Sequence, residues 1–205
     1  DTTGLTDFEV CRVLYGLLSA GRLRRVATAP AAPPRESGSR LDEHRNLGIA
    51  FYRTGMLAEA DREFRRVAEL RPENGEGPFH LGLIALREAR WEEAITQLKL
   101  AAERSGPRPA VLHNLALAFE ALGRLDEADA ALSEAIQREK DDPRLWIGWG
   151  LLALRRAQGP SALERFARAR DLIGTATPPA RWYWGCGCAQ ALSEAWQDSL
   201  ATVRE

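Results

Sequence analysis

The sequence predicts an all-α fold in which antiparallel helix pairs stack in chain order. Three observations predict it. First, the pairs Leu47-Gly48, Leu81-Gly82, Leu115-Ala116 and Trp149-Gly150 recur 34 residues apart, and so do the residues that follow them. Twelve residues beyond each small residue stands an alanine (Ala60, Ala94, Ala128, Ala162), and four further on a bulky apolar residue (Phe64, Leu98, Leu132, Phe166). Three beyond that comes Val67, Ala101, Ala135 or Ala169. A fixed period of this length marks a repeat architecture. Second, the apolar residues within one period have helical spacing, as in Leu47, Ala50 and Phe51 and then Leu57, Ala60, Phe64, Val67 and Ala68. Third, Gly55 and Gly123 fall between the two helical stretches, where a left-handed residue ends the first.

The elements follow in order. Thr6-Asp7-Phe8-Glu9 is a capping box, in which the threonine caps a helix and Glu9 reaches back to it. Phe8, Cys11, Leu14, Leu17 and Leu18 then form an apolar stripe, Gly21 ends the helix, and Arg22 to Val26 alternates as a short strand does. Residues 1–26 thus form an orphan helix plus strand. Residues 27–40, rich in Pro, Ala and Ser, form a semi-rigid tether. Four units follow, 41–74, 75–108, 109–142 and 143–176, each a helix pair. Two helices approach closely only where small side chains meet and bulky ones fill the holes beside them. Gly48, Gly82, Ala116 and Gly150 are therefore the expected contact points of the first helices, and Ala60, Ala94, Ala128 and Ala162 those of the second. A single pair cannot bury its apolar face, so stacking is obligatory. In the fourth unit Gly159-Pro160 stands where the second helix begins, and an irregular turn is expected there. Thr177-Pro178-Pro179 breaks the chain, after which 180–192 and 195–204 read as a degenerate fifth or capping pair. Trp146, Trp149, Trp182, Trp184 and Trp196 crowd this end and are expected to form a core joining the last unit to its cap.

Composition narrows the function classes. The chain has 205 residues, a formal charge of −1, 45% apolar and 28% charged residues, which excludes wholesale disorder. Near-neutrality argues against a dedicated nucleic-acid binder. The longest apolar run, Leu145 to Leu154, is too short to span a bilayer, and no membrane association is expected. The chain opens on Asp1 with no basic-then-apolar leader, and its single methionine is Met56, so the expectation is that it either lost its start or was cut from something longer. Three cysteines (Cys11, Cys186, Cys188) are too few for a disulfide framework, which fits a reducing, cytoplasmic setting.

Catalytic and metal readings fail. No GxxxxGK phosphate loop is present, and Gly148-Trp-Gly150 and Gly185-Cys-Gly187 lack the strand a nucleotide fingerprint needs. Cys186 and Cys188 point to different faces of a helix, so they are expected to be structural. His44, His80 and His113 stand on successive first helices with different facings. No enzymatic activity, cofactor or metal is expected.

The four units resemble the tetratricopeptide repeat (TPR), which implies a right-handed α-solenoid. The closing proline of that family is present only as Pro72. Residues 6–26 resemble the last helix and first wing strand of the winged helix that closes bacterial PATAN-type regulatory domains, without the helices that would complete it. The TPR resemblance further implies that unit positions 2, 5, 9, 12 and 13 line a concave groove. At positions 5, 9, 12 and 13 these are Arg45, Ile49, Tyr52 and Arg53, then Phe79, Leu83, Leu86 and Arg87. The third unit gives His113, Leu117, Glu120 and Ala121, and the fourth Ile147, Leu151, Leu154 and Arg155. The family's clamp for C-terminal carboxylates needs Asn at position 9, where this chain has Ile49, Leu83, Leu117 and Leu151, so that mode is not expected. An apolar row flanked by Arg53, Arg87 and Arg155 instead suits an amphipathic helix or apolar peptide with acidic flanks. The expected function is a protein-interaction adaptor whose protein or peptide partner is unidentified. Two alternatives stand beside it: a scaffold that covers its own groove or forms homo-oligomers through helix 6–20, and the C-terminal part of a bacterial DNA-associated regulator.

Overall fold

Helix boundaries in the computed structural model, which describes residues 37–204, are set by residues that can cap, start or stop a helix. The first pair is α1 (Ser37–Thr54) with α2 (Leu57–Leu70) and the second α3 (Glu76–Arg87) with α4 (Trp91–Ser105). The third is α5 (Pro109–Ala121) with α6 (Leu125–Arg138) and the fourth α7 (Pro143–Arg155) with α8 (Gly159–Ile173). A last helix, α9, spans Ala180–Arg204. Pro109 and Pro143 open their helices, where a missing N–H costs nothing. Asp142 caps α7 by accepting the Arg144 N–H at 2.8 Å, and Asn74 accepts the Glu76 N–H at 2.8 Å at the start of α3.

The turn between the helices of each pair keeps the 34-residue period in its backbone. Gly55, Ala89, Gly123 and Ala157 all have positive φ, at 81°, 57°, 74° and 57°. Two alanines therefore hold a conformation that glycine adopts freely, at a cost of about 1 kcal/mol each. The irregular turn expected at Gly159-Pro160 is a correction. The αL residue is Ala157, and α8 starts cleanly at Gly159 with proline in its first turn.

Close approach of helices explains the small residues. Ala60, Ala94, Ala128 and Ala162 are each 0% exposed, and Phe64, Leu98, Leu132 and Phe166 are buried beside them. The opposing glycines leave no room for a methyl group. A Cβ on Gly48 would lie 2.9 Å from Phe64 Cζ, on Gly82 2.7 Å from Leu98 Cγ, and on Gly150 2.8 Å from Phe166 Cε1. Fully burying one such Phe or Leu contributes roughly 1.5–3 kcal/mol.

Each helix packs on its chain neighbours. Beyond these, α3 touches α5, α5 touches α7 and α7 touches α9, while no two second helices come into comparable contact. The first helices therefore form the inner row of the stack. The described residues fold as an all-α, TPR-like solenoid.

Two boundaries differ from expectation. Helix α1 begins at Ser37, inside the stretch read as tether. In place of a capping pair over 177–205 there is one continuous helix, because Ser193-Glu194-Ala195 contains neither glycine nor proline to break it. Its inner face, Trp182, Gly185, Cys186 and Ala189, packs on α8. The Trp182 Nε1–H donates to the Phe166 carbonyl at 2.8 Å. Trp184 departs from the tryptophan core expected here, since it is 65% exposed. The capping box at Thr6, the helix expected over 6–20, the strand at 22–26, residues 27–36 of the tether and the Trp196 side chain lie outside the described residues.

Candidate peptide-binding groove

Along the inner row the ninth residues of the units keep part of their surface open to solvent. Ile49, Leu83 and Leu151 are half-buried, and Leu117 is 42% exposed. At the twelfth position Tyr52, Leu86, Glu120 and Leu154 are half-buried, and at the thirteenth Arg53, Arg87 and Arg155 are exposed. At the fifth, Arg45, Phe79 and His113 are half-buried. Ile147 is a correction. It is 1% exposed, in one cluster with Phe166 and Trp182, because α9 packs over that end of α7 and leaves it no surface to offer.

The arginines do not form a uniform free rim. Arg87 donates to the Tyr52 carbonyl at 2.6 Å, and its guanidinium lies 4.8 Å from the centre of the Tyr52 ring. Arg155 stands 3.6 Å from Glu120. Burial raises the Glu120 carboxyl above the ordinary carboxylate value, and Arg155 partly offsets that. Arg45 pairs with Asp42 at 3.0 Å and stands 4.0 Å from Glu76. Arg53 alone of the four has no partner among the described residues. Two contributors escaped the sequence reading: Arg108, whose guanidinium lies 5.5 Å from the Phe79 ring centre, and Trp91, which borders Leu86 and Leu117. Trp91 opens a second helix, so a search of the first helices alone passes over it.

The histidines serve separate places. His44 Nδ1 meets Glu63 Oε2 at 2.6 Å. His80 stacks on Phe64 with ring centres 4.2 Å apart, its Nδ1 buried without a partner. Burial, and secondarily Arg108, lowers its pKa to about 4. His113, also with a buried, unpartnered Nδ1, lies against the Gly148 backbone, and burial lowers its pKa as well. Among the described residues no three His, Cys, Asp or Glu side chains gather as a metal ion requires, and no helix is long and apolar enough to cross a membrane.

A stack of paired helices with an inner row of accessible apolar residues defines a TPR-type solenoid. Residues 109–152 match the family described as the tetratricopeptide repeat. No curated protein sequence matches the chain. Among solved structures the chain is similar to the MamA protein, with TM-score 0.64 and 18% identity over 82% of this chain and 90% of that one. It is also similar to PilF of Pseudomonas aeruginosa, with TM-score 0.62 and 21% identity over 67% and 63%. A third is YrrB, titled a TPR protein with an unusual peptide-binding site, with TM-score 0.60 and 15% identity over 78% and 84%. At these identities the likeness is one of fold.

Proposed function

We propose that this chain is a non-enzymatic protein-interaction module that takes an apolar or amphipathic peptide or helix along the inner face of its first helices. One observation carries the reading: at the ninth position of successive units Ile49, Leu83 and Leu151 are half-buried and Leu117 is 42% exposed, so each unit keeps an aliphatic side chain partly open to solvent. A row of aliphatic side chains one unit apart loses water contact when an apolar partner lies along it. The solved structure of YrrB, similar in fold, is described by its title as having a peptide-binding site, which agrees with this use of such a stack.

The test is crosslinking. A photoreactive residue at position 117, with partner proteins present, is expected to capture a segment of another protein. The double variant Leu83→Glu, Leu151→Glu is expected to abolish that capture while leaving the helical signal intact. Capture that survives both charges, or crosslinks that run only into residues 1–36 of the same chain, would sink the adaptor reading.

A further inference from the structure

The arginines at the thirteenth unit position follow a rule with one exception, and the exception gives the groove reading a chemistry. The thirteenth side chain reaches back to the twelfth residue of the preceding unit. Arg87 does this at Tyr52 and Arg155 at Glu120. In the third unit the residue is Ala121, too short to reach Leu86. What remains is a depression of about 380 Å³ lined by Leu86, Trp91, Leu117, Glu120, Ala121 and Arg155.

Three sides of this depression are apolar or aromatic, and the acceptor in it is the Glu120 carboxylate. Its side chain is 21% exposed, and among the described residues Arg155, at 3.6 Å, is its only ion-pair partner, too far for a hydrogen bond. A carboxylate drawn partly out of water with its lone pairs unused is under-compensated, and a donor that reaches it recovers that loss.

Resting on the groove reading, we propose that this depression seats an arginine side chain of the bound peptide. Its methylene stem lies on Leu86 and Leu117, its planar head faces Trp91, and its N–H groups donate to Glu120. The unused acceptor selects a cation over an acid. Arginine over lysine follows from its planar fork of donors and its affinity for aromatic faces. This chain satisfies the same chemistry internally: Arg87 lies over Tyr52 at 4.8 Å, Arg124 over Phe119 at 4.8 Å and Arg165 over Trp149 at 3.9 Å. Arg155 stays at the rim, 55% exposed, where solvent screens its repulsion of a second cation.

The probes are four fluorescein-labelled decapeptides with an Ala/Leu background and Arg, Lys, Leu or Glu at the central position. They are titrated onto the full chain by anisotropy, with the Trp91 indole N–H followed by NMR. The arginine peptide is expected to bind about tenfold tighter than the leucine peptide and to shift the Trp91 signal. Glu120→Gln is expected to bring the arginine peptide down to the affinity of the leucine peptide for the same variant. Ala121→Arg supplies from within the residue that the three other units carry, so it should fold and abolish the arginine preference. Equal or tighter binding of the leucine or glutamate peptide, no binding by any of the four, or a preference that survives Ala121→Arg overturns the inference. The two readings fail separately: if Leu83→Glu still weakens all the peptides that bind, the groove stands and only its arginine seat is lost.

Discussion

His80 shows how one side chain couples the core to pH. It is held neutral by burial, stacked on Phe64 and with Nδ1 enclosed and unpartnered, so protonating it in place is costly. Its folded-state pKa of about 4 lies below the ordinary histidine value of 6.5, so between those values the unfolded chain binds more protons than the folded one. Stability is therefore complete above about pH 6.5 and declines as pH falls toward 4, by an amount on the order of 3 kcal/mol. His113 is shifted in the same direction and adds to the slope. Urea midpoints across this range should fall on acidification. His80→Gln should flatten the slope and leave the share due to His113, whereas an unchanged slope would show that His80 is already charged or exposed in the fold. Periodicity alone made Phe64 legible as core, but not the histidine against it. His80 lies outside the four residue classes that define the repeat, and only the packing of α3 on α2 shows that its ring has an aromatic neighbour.

At the scale of the element, the turns carry a signal that composition hides. Gly55 and Gly123 announce their turns because glycine is the residue suited to positive φ. Ala89 and Ala157 make the same turn without announcing it, because tertiary packing of the helices on either side imposes the conformation. Restoring glycine where the backbone already wants it should stabilise: Ala89→Gly is expected to raise stability by about 0.5–1 kcal/mol, relief of αL strain outweighing the added freedom of the unfolded chain. A lower thermal midpoint would mean that the Ala89 methyl group contributes packing worth more than the strain. The last helix was legible at its start, where Pro178-Pro179 ends the fourth unit, but not in its length. Its inner face is set by a glycine whose position drifts from the period. Gly185 falls 35 residues after Gly150, and a Cβ there would overlap Phe166. One extra residue was enough to remove that contact from a strict 34-residue alignment. Of the groove, the aliphatic row was readable because it recurs. The seat at Ala121 was not, because it consists of a residue that breaks the recurrence and a tryptophan on another helix.

For the whole stack, the decisive feature is that among the described residues packing runs only between helices close together in the chain. Stability in such a stack is a sum of unit terms and interfaces between neighbours, so damage should spread according to position along the array. Overpacking the Ala128 contact, which is 0% exposed between α5 and α6, strikes the third of four units and should cost roughly 1–3 kcal/mol or more. The third unit is also the one that joins the second unit to the fourth. Ala60→Phe makes the same chemical change in the first described unit, where one interface is lost instead of two. Hydrogen exchange should therefore show Ala128→Phe lowering protection on both sides, in α3–α4 and in α7–α8, whereas Ala60→Phe should open α1 and α2 and leave α5 to α8 nearly as protected as before. Equal, global loss in both variants would mean that the helices unfold as one cooperative body. The contacts between alternate first helices would then have to carry far more coupling than their sparse meeting along the inner row provides. The same comparison bears on the groove, because a row assembled from one residue per unit keeps its spacing only while every interface holds. A peptide lying across several units would raise protection most at the interfaces it bridges.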